Sequence, residues 1–259
     1  MNIVITGAGR GIGRALALAY ARRGPCRLYL CARTPQGLGE TASACEALGA
    51  QVDRTDFDLT DPDALDRWLA HIREAAAPDI VILNAGISAC RMDADGIETA
   101  SGMRDEMTVN FLPALHIIGG LLPVLKNKQG GARVALISSI AALLPLPGWA
   151  GYCASKSALR FYGHAMRPLL KPHGISVSLI LPGFVKTDLS DKLGGRKTLM
   201  TTPDDMAARI IRAIDRRVGE FIHPRPLGWL AKAGWWLPVP LRDWILMRGF
   251  RFSLRDGSV

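Results

Sequence analysis

At 259 residues, 49% hydrophobic and 21% charged, the chain has the composition of a folded globular protein, not a disordered one, and its length suits one large α/β domain. Its five scattered cysteines (Cys26, Cys31, Cys45, Cys90 and Cys153) include no C-x-x-C pair, which argues against a zinc site or disulfide framework and suits a reducing cytosol. A net charge of +9 calls for something anionic: a phosphorylated cofactor, a membrane surface or nucleic acid. Nucleic acid is the least suited of these, because the basic residues are dispersed and no recognition motif is present.

Short β-rich runs alternate with helical stretches along the chain. Strands are predicted at Asn2–Thr6, Arg27–Ala32, Val52–Asp58, Asp79–Asn84, Arg133–Ser139, Ser176–Pro182 and Glu220–His223. Most are continuous apolar runs, the pattern of strands covered by helices on both faces. Helices are predicted at Gly13–Arg23, Asp61–Ala76, Asp105–Lys126, Ala150–Lys171 and Asp204–Arg217, the last introduced by Thr202 as N-cap and Pro203. Repeated β-α units predict an α/β fold: a doubly wound parallel sheet of about seven strands with helices on both faces. The first strand begins at about residue 3, leaving no room for a targeting segment, and no run of about 18 apolar residues offers a membrane-spanning helix.

Between the first strand and first helix stands Gly7-Ala8-Gly9-Arg10-Gly11-Ile12-Gly13. The spacing of Gly7, Gly11 and Gly13 is G-x-x-x-G-x-G, but the physical logic is that of dinucleotide loops. One glycine turns the chain, one lets the backbone approach a pyrophosphate, and one packs the helix whose N-terminus faces the phosphates. A plain glycine-rich turn is the alternative. An NAD-binding chain usually carries an acid about 20 residues on, at the end of the second strand. Here that region holds Ala32 and then Arg33, and Arg10 lies in the loop itself. Two cations and no acid suit a 2′-phosphate, hence NADP(H), unless both are merely solvated surface arginines.

Farther along, Ser139 ends a predicted strand 13 residues before Tyr152, and Tyr152 and Lys156 share one helix face at i and i+4. Ser139, Asn84, the Gly7 loop and Pro182-Gly183 all fall at carboxyl ends of strands, where open parallel sheets bind ligands. Carbonyl reduction needs a proton for the oxygen. A nearby ammonium favours a tyrosine phenolate and lowers its pKa, and a serine hydroxyl can hold the oxygen.

At these residues the sequence resembles the short-chain dehydrogenase/reductase family over about residues 2–224. The resemblance rests on Thr6-Gly7-x-x-x-Gly11-x-Gly13, Asp58, Asn84-Ala85-Gly86, Asn110, Ser139, Tyr152-x-x-x-Lys156 and Pro182-Gly183-x-Val185-x-Thr187. It implies a Rossmann-like fold, with Tyr152 as acid/base, Lys156 lowering its pKa and binding the nicotinamide ribose, and Ser139 orienting substrate. Asn110 would hold a proton-relaying water. Asp58 and Leu59 would flank the adenine, and Asn84, Ala85 and Gly86 would line the cofactor trough. Pro182, Gly183, Val185 and Thr187 would bound the nicotinamide end, Val185 and Thr187 holding its carboxamide, and Ile12 would support the phosphate turn. Arg10 and Arg33 match the NADP(H)-preferring members. Family members are mostly dimers or tetramers built on helices around residues 105–126 and 150–170.

Single residues also have plainer readings. Asn110 by itself reads as a helix-surface or capping residue, Cys153 as packing and His164 as structural; Trp149 is core or substrate wall. The segment 188–203 is polar and carries Gly194-Gly195, as a lid would. Its Leu189, Leu193, Leu199 and Met200 are candidate substrate contacts.

Residues 225–259 form a basic extension with Trp229, Trp235, Trp236 and Trp244 among Arg225, Lys232, Arg242, Arg248, Arg251 and Arg255. Pro238 and Pro240 divide it into two short apolar pieces. These suit either the interface of an anionic membrane or packing on a partner subunit or the substrate pocket. The functional expectation is a cytoplasmic NADPH-dependent reductase, peripheral to a membrane, acting on a ketone or secondary alcohol of lipid-like character (3-ketoacyl, ketosphingoid or steroid type). A sugar or capsular-polysaccharide-pathway reductase and a non-catalytic NADP(H) sensor are the alternatives.

Overall fold

The computed structural model describes residues 1–249 except 90, 95, 188, 189 and 191–198. Among them, seven strands form one parallel sheet: β1 (Asn2–Thr6), β2 (Arg27–Ala32), β3 (Gln51–Asp56), β4 (Ile80–Leu83), β5 (Ala132–Ile137), β6 (Ile175–Pro182) and β7 (Glu220–His223). Their order across the sheet is β3-β2-β1-β4-β5-β6-β7. The chain therefore winds outward from β1 one way and from β4 the other, and the crevice between β1 and β4 is the switch point where ligands bind in such sheets.

Alternate strand residues enter opposite cores. Ile3, Ile5, Leu28, Leu30, Ile80, Ile82 and Ile137 face one side, while Val4, Tyr29, Val81, Leu83, Val134, Leu136 and Leu179 face the other. On the first side lie α1 (Gly11–Ala21), α2 (Pro35–Glu46) and α7 (Pro203–Asp215), contributing Leu16, Tyr20, Leu38, Met206 and Ile210. The other carries α3 (Pro62–Ala75), α5 (Leu112–Lys126) and α6 (Ala150–Leu170), contributing Trp68, Ile72, Ile117, Leu121 and Leu159. Helix α4 (Ala100–Asn110) packs on α6. Burial on both faces explains why the central strands read as unbroken apolar runs.

Several expected boundaries move. β3 is an edge strand with charged Asp53 and Arg54, so it ends at Asp56 and leaves Asp58 in the following turn. The helix expected over Asp105–Lys126 is two helices. Phe111 lies off helical geometry (φ −121°, ψ −55°) and Pro113 starts the second, as proline does in a first turn. Residues 100–126 are together long and apolar enough, by length and composition, to cross a membrane, contrary to the expectation that no stretch would be. They are bent at Phe111 and lay Ile117, Ile118, Leu121 and Leu125 into the core. The Thr202 N-cap is present, its Oγ1 accepting the Asp205 N–H at 3.1 Å.

Beyond β7 the basic extension forms α8 (Arg225–Ala233), a single 3-10 turn (Gly234–Trp236) and α9 (Val239–Gly249). Leu227 and Ala231 join the second core. The edge strand grips α8 through Glu220, whose carboxylate takes Lys232 at 2.8 Å, Arg160 at 2.8 Å and His164 at 2.9 Å. Burial opposes the charge of Glu220, but those three partners outweigh it and hold the carboxyl down at about 2. His164 thus has a structural partner, and Cys153 is buried, its thiol pushed up to about 11 by burial.

Candidate active site

A cavity of about 1000 Å³ runs along the carboxyl ends of the strands. Its floor is set by the first β-α turn. Gly7 sits at φ +68°, and a Cβ there would meet the Ala85 Cα at 2.9 Å. A Cβ on Gly13 would overlap the Gly7 carbonyl oxygen, so α1 approaches β1 this closely only because that residue is glycine. The end of β4 locks the turn. Thr6 Oγ1 accepts the N–H groups of Asn84 and Ala85 at 3.0 and 3.1 Å, and the Asn84 amide donates to the carbonyls of Thr6 and Gly7 at 3.1 and 3.2 Å.

At one end of the cavity lie Arg10, Ala32, Arg33, Asp58 and Leu59. Arg33 Nη1 stands 4.0 Å from Asp58 Oδ2, both groups being exposed. Burial works against the Asp58 charge, but the Thr60 N–H and hydroxyl and the Arg33 guanidinium outweigh it and keep the carboxyl below its ordinary value. In the middle lie Gly11, Ile12, Asn84, Ala85 and Gly86, opposite Pro182, Gly183, Val185 and Thr187. This last segment is tied down at both sides. The Lys186 N–H donates to the Thr201 carbonyl and the Thr201 N–H to the Phe184 carbonyl, each at 3.0 Å, and Ser190 Oγ donates to the Thr187 carbonyl at 2.8 Å.

Farther on, Ser139, Tyr152 and Lys156 face the same space. Ser139 Oγ accepts the Ala141 N–H at 3.1 Å, which fixes the hydroxyl while leaving its proton to donate. Trp149 meets the Tyr152 ring edge-on at 5.7 Å and lines the cavity, so it is packed and a wall at once. Lys156 is only 4% exposed. Its Nζ lies 5.9 Å from the Tyr152 ring centre and donates to the Ile137 carbonyl at 3.1 Å, and burial lowers its ammonium to about 8.

Two of the residues singled out from sequence do not line this cavity. Gly13 lies beneath the glycine turn. Asn110 stands behind Gly86, accepting the Ile87 N–H at 2.7 Å and donating to the Ile87 carbonyl and Ser155 Oγ, each at 2.9 Å. A Cβ on Gly86 would land 3.0 Å from Lys156 Nζ and 3.1 Å from Asn110 Oδ1. The trough is open here because no side chain fills it. With the bare turn at Gly7 and the cations at the far end, this cradle fits a nicotinamide dinucleotide.

Four supporting residues carry no signature in the sequence. Ser138 Oγ donates to the Lys156 carbonyl at 2.8 Å, and Ser155 Oγ to that of Tyr152 at 2.8 Å. The buried Glu98 accepts the Gly151 N–H at 2.7 Å at the start of α6, and the buried Glu106 accepts the Ala89 N–H at 2.8 Å. A carboxylate at a helix N-terminus is favoured by the helix dipole. Their signal, an acid that becomes buried, exists only in three dimensions.

The last stretch of the cavity is apolar and comes from the extension: Leu227, Leu230, Ala231, Leu237, Ile245 and Leu246 face Leu144 and Leu146. The Trp235 indole N–H donates to the Leu143 carbonyl at 2.6 Å, fastening this cap over the turn that follows β5. Of the candidate lid contacts, Leu199 and Met200 are exposed; Leu189, Leu193 and Gly194-Gly195 lie outside the described residues, as do Arg251 and Arg255.

Residues 1–197 match the short chain dehydrogenase family model. The chain is 31% identical over 263 residues to the Hydroxysteroid 11-beta-dehydrogenase 1-like protein of Xenopus tropicalis, covering 97% of this chain and 88% of the relative. It superimposes on a short-chain dehydrogenase from Sphingobium yanoikuyae in complex with NADPH with a TM-score of 0.78 at 28% identity, covering 96% of each chain. With a short chain dehydrogenase from Mycobacterium paratuberculosis bound to NAD, the TM-score is 0.75 at 25% identity, covering 85% of this chain and 95% of that one. The glycine turn locked by Asn84, the rim of Ser139, Tyr152 and Lys156, and these matches lead to one conclusion: the chain belongs to the short-chain dehydrogenase/reductase family of oxidoreductases, which act on alcohols and carbonyls with a nicotinamide cofactor.

Proposed function

We propose that this protein is an NADPH-dependent reductase of hydrophobic, lipid-like ketones, working at the cytoplasmic surface of an anionic membrane. The observation that carries the reading is the cavity's polarity: Arg10 and Arg33, with Ala32 in place of an acid at the end of β2, at one end and a mostly apolar cap at the other, with Tyr152 between. Arg33 and Arg10 would take the 2′-phosphate, in keeping with Ala32 where NAD-binding chains carry an acid. Asp58 and Leu59 would flank the adenine, and Gly11, Ile12 and the α1 N-terminus the pyrophosphate, with Gly13 seating the helix beneath them. Ala85, Gly86, Pro182, Gly183, Val185, Thr187 and Lys156 would bound the nicotinamide riboside.

The bound cofactor supplies the hydride. Tyr152 gives its phenolic proton to the carbonyl oxygen as that hydride arrives. The Lys156 ammonium favours the phenolate left behind. Ser139 donates its hydroxyl proton as a hydrogen bond to the same oxygen, holding it where charge develops. Asn110 fixes the backbone at Ile87 and presents its carboxamide toward Lys156 behind Gly86, a position suited to proton relay. Leu144, Leu146, Leu227 and Leu246 keep water from the reacting carbonyl.

The outer face of the cap supports the membrane part of the reading. Trp236 is 90% and Trp229 is 74% exposed, with Trp244, Leu241 and Met247 also exposed among Arg225, Lys232 and Arg248. Indole rings at headgroup depth with cations on anionic lipid is how interfacial segments bind. Leu112, Phe161 and Leu169 are exposed on α5 and α6, which supports a homodimer or homotetramer through those helices.

The test is NADPH consumption against long-chain 3-keto esters, ketosphingoid bases, steroid ketones and keto sugars side by side. Turnover of the apolar ketones, and a fall of about 10³-fold in Tyr152→Phe with NADPH binding retained, is the expected result. Retained activity in Tyr152→Phe, or turnover confined to sugars, overturns the reading.

A further inference from the structure

We propose that Arg242 anchors an anionic end group of an otherwise apolar substrate; this rests on the apolar-ketone reading and specifies its substrate class as an amphipathic ketone bearing a carboxylate or phosphate. Among the described residues, five cations line the cavity. Arg10, Arg33, Lys156 and Lys186 belong to the cofactor rim: the glycine turn, the end of β2, α6 and the segment after β6. Of these five, Arg242 is the one that comes from the cap, among Leu144, Leu227, Leu237 and Leu246.

Its setting is unusual for a surface helix. The side chain is 15% exposed, and its Nε is buried without a hydrogen bond. The nearest carboxylate oxygen, Asp243 Oδ1, lies 3.5 Å away on a side chain that is 59% exposed, an ion pair of small worth in water. The guanidinium carbon lies 5.0 Å from the centre of the Trp235 ring, and that indole is itself tied to the Leu143 carbonyl. Stacking occupies the flat face of a guanidinium and leaves the edge, which carries its donors, free to grip. A cation withdrawn into an apolar wall is costly unless paired, and a planar or tetrahedral oxyanion with an apolar chain supplies both the pair and the chain the wall requires.

Calorimetric titration of the full-length, NADPH-loaded protein with dodecanoate, dodecyl phosphate and 1-dodecanol tests this. One or both anions should bind about tenfold or more tightly than the alcohol. The tighter of the two identifies the end group. Arg242→Gln should erase that preference and Arg242→Lys restore part of it. Arg248→Gln, which removes an exposed cation of the same helix, should leave the preference in place. Equal binding of anions and alcohol to the wild type, an unchanged preference in Arg242→Gln, or equal losses in Arg242→Gln and Arg248→Gln overturns the proposal. The readout is binding, so the two readings fail separately. Tight anion binding without turnover of any ketone would sink the reaction and leave the anchor standing. Turnover of neutral ketones without an anion preference would sink only the anchor.

Discussion

The two ends of the cavity are built by opposite means. The cofactor end is shaped by backbone: a glycine turn braced by the side chains of Thr6 and Asn84, a bare trough at Gly86, and a segment after β6 stitched to Thr201 by backbone bonds. The cap end is made of side chains on two short helices held by a few contacts, chiefly Glu220 to Lys232 and Trp235 to Leu143. Backbone hydrogen bonds in a buried sheet resist substitution because no side chain can replace them. A leucine-lined wall can change shape residue by residue. On the proposed reading, this contrast makes cofactor choice and substrate choice separable, although one cavity would serve both.

That separation can be broken in order of expected effect. Arg33→Asp should shift the ratio of kcat/KM for NADPH over NADH by about 100-fold toward NADH, since it replaces a charge-assisted bond with a repulsion. Apolar ketones should keep their rank order in the variant. A changed rank order would mean that the two ends are coupled, and an unchanged cofactor ratio would remove Arg33 from 2′-phosphate recognition.

Trp229→Ser combined with Trp236→Ser should reduce cosedimentation with phosphatidylserine vesicles by about tenfold, by loss of interfacial indole area, with NADPH affinity unchanged. Equal cosedimentation would place the membrane face elsewhere.

The smallest effect concerns Glu220. Its carboxyl is held at about 2 in the folded protein, below its ordinary value, so the unfolded chain binds the proton first as pH falls. The stability it supplies is present above about pH 4.5 and is lost between there and about pH 2. Glu220→Gln should cost about 1 kcal/mol at pH 7, read from urea unfolding, and the gap from wild type should close as pH falls through that window. Tryptophan fluorescence, dominated by the cap, should respond before far-ultraviolet circular dichroism does. Simultaneous loss of both signals would show that the cap and sheet are one cooperative unit.

The five inner strands were legible because burial on both faces writes them as apolar runs, while the ends of β3 and β5 lie two residues earlier than expected, at Asp56 and Ile137, which leaves Ser139 just past its strand. Helix α2 was not legible. Its Gly37 and Gly39 weaken helical propensity in the sequence, yet a Cβ at Gly37 would lie 2.8 Å from the Gly9 carbonyl oxygen. Gly37 thus hides the helix in the sequence and lets it approach the glycine turn in the fold, while Gly39 makes room for Arg54. Ser139, Tyr152, Lys156 and the glycines were legible through spacing. Ser138, Glu98 and Glu106 were not, because each bonds a backbone group that only the fold brings near, and Ser155 was not, because it takes the Asn110 amide from another helix. The extension was legible in composition but divided in meaning. Its inner side closes the cavity, the packing alternative, while its outer side keeps the exposed tryptophans that raised the membrane alternative.

Chain order adds a temporal side to the cap. A ribosome delivers the cofactor rim, from Gly7 through Thr187, before any residue of Arg225–Gly249 emerges. On the proposed reading, the residues that would hold the dinucleotide are therefore made first, and the wall that would face the substrate, over Leu143 and Leu144, is made last.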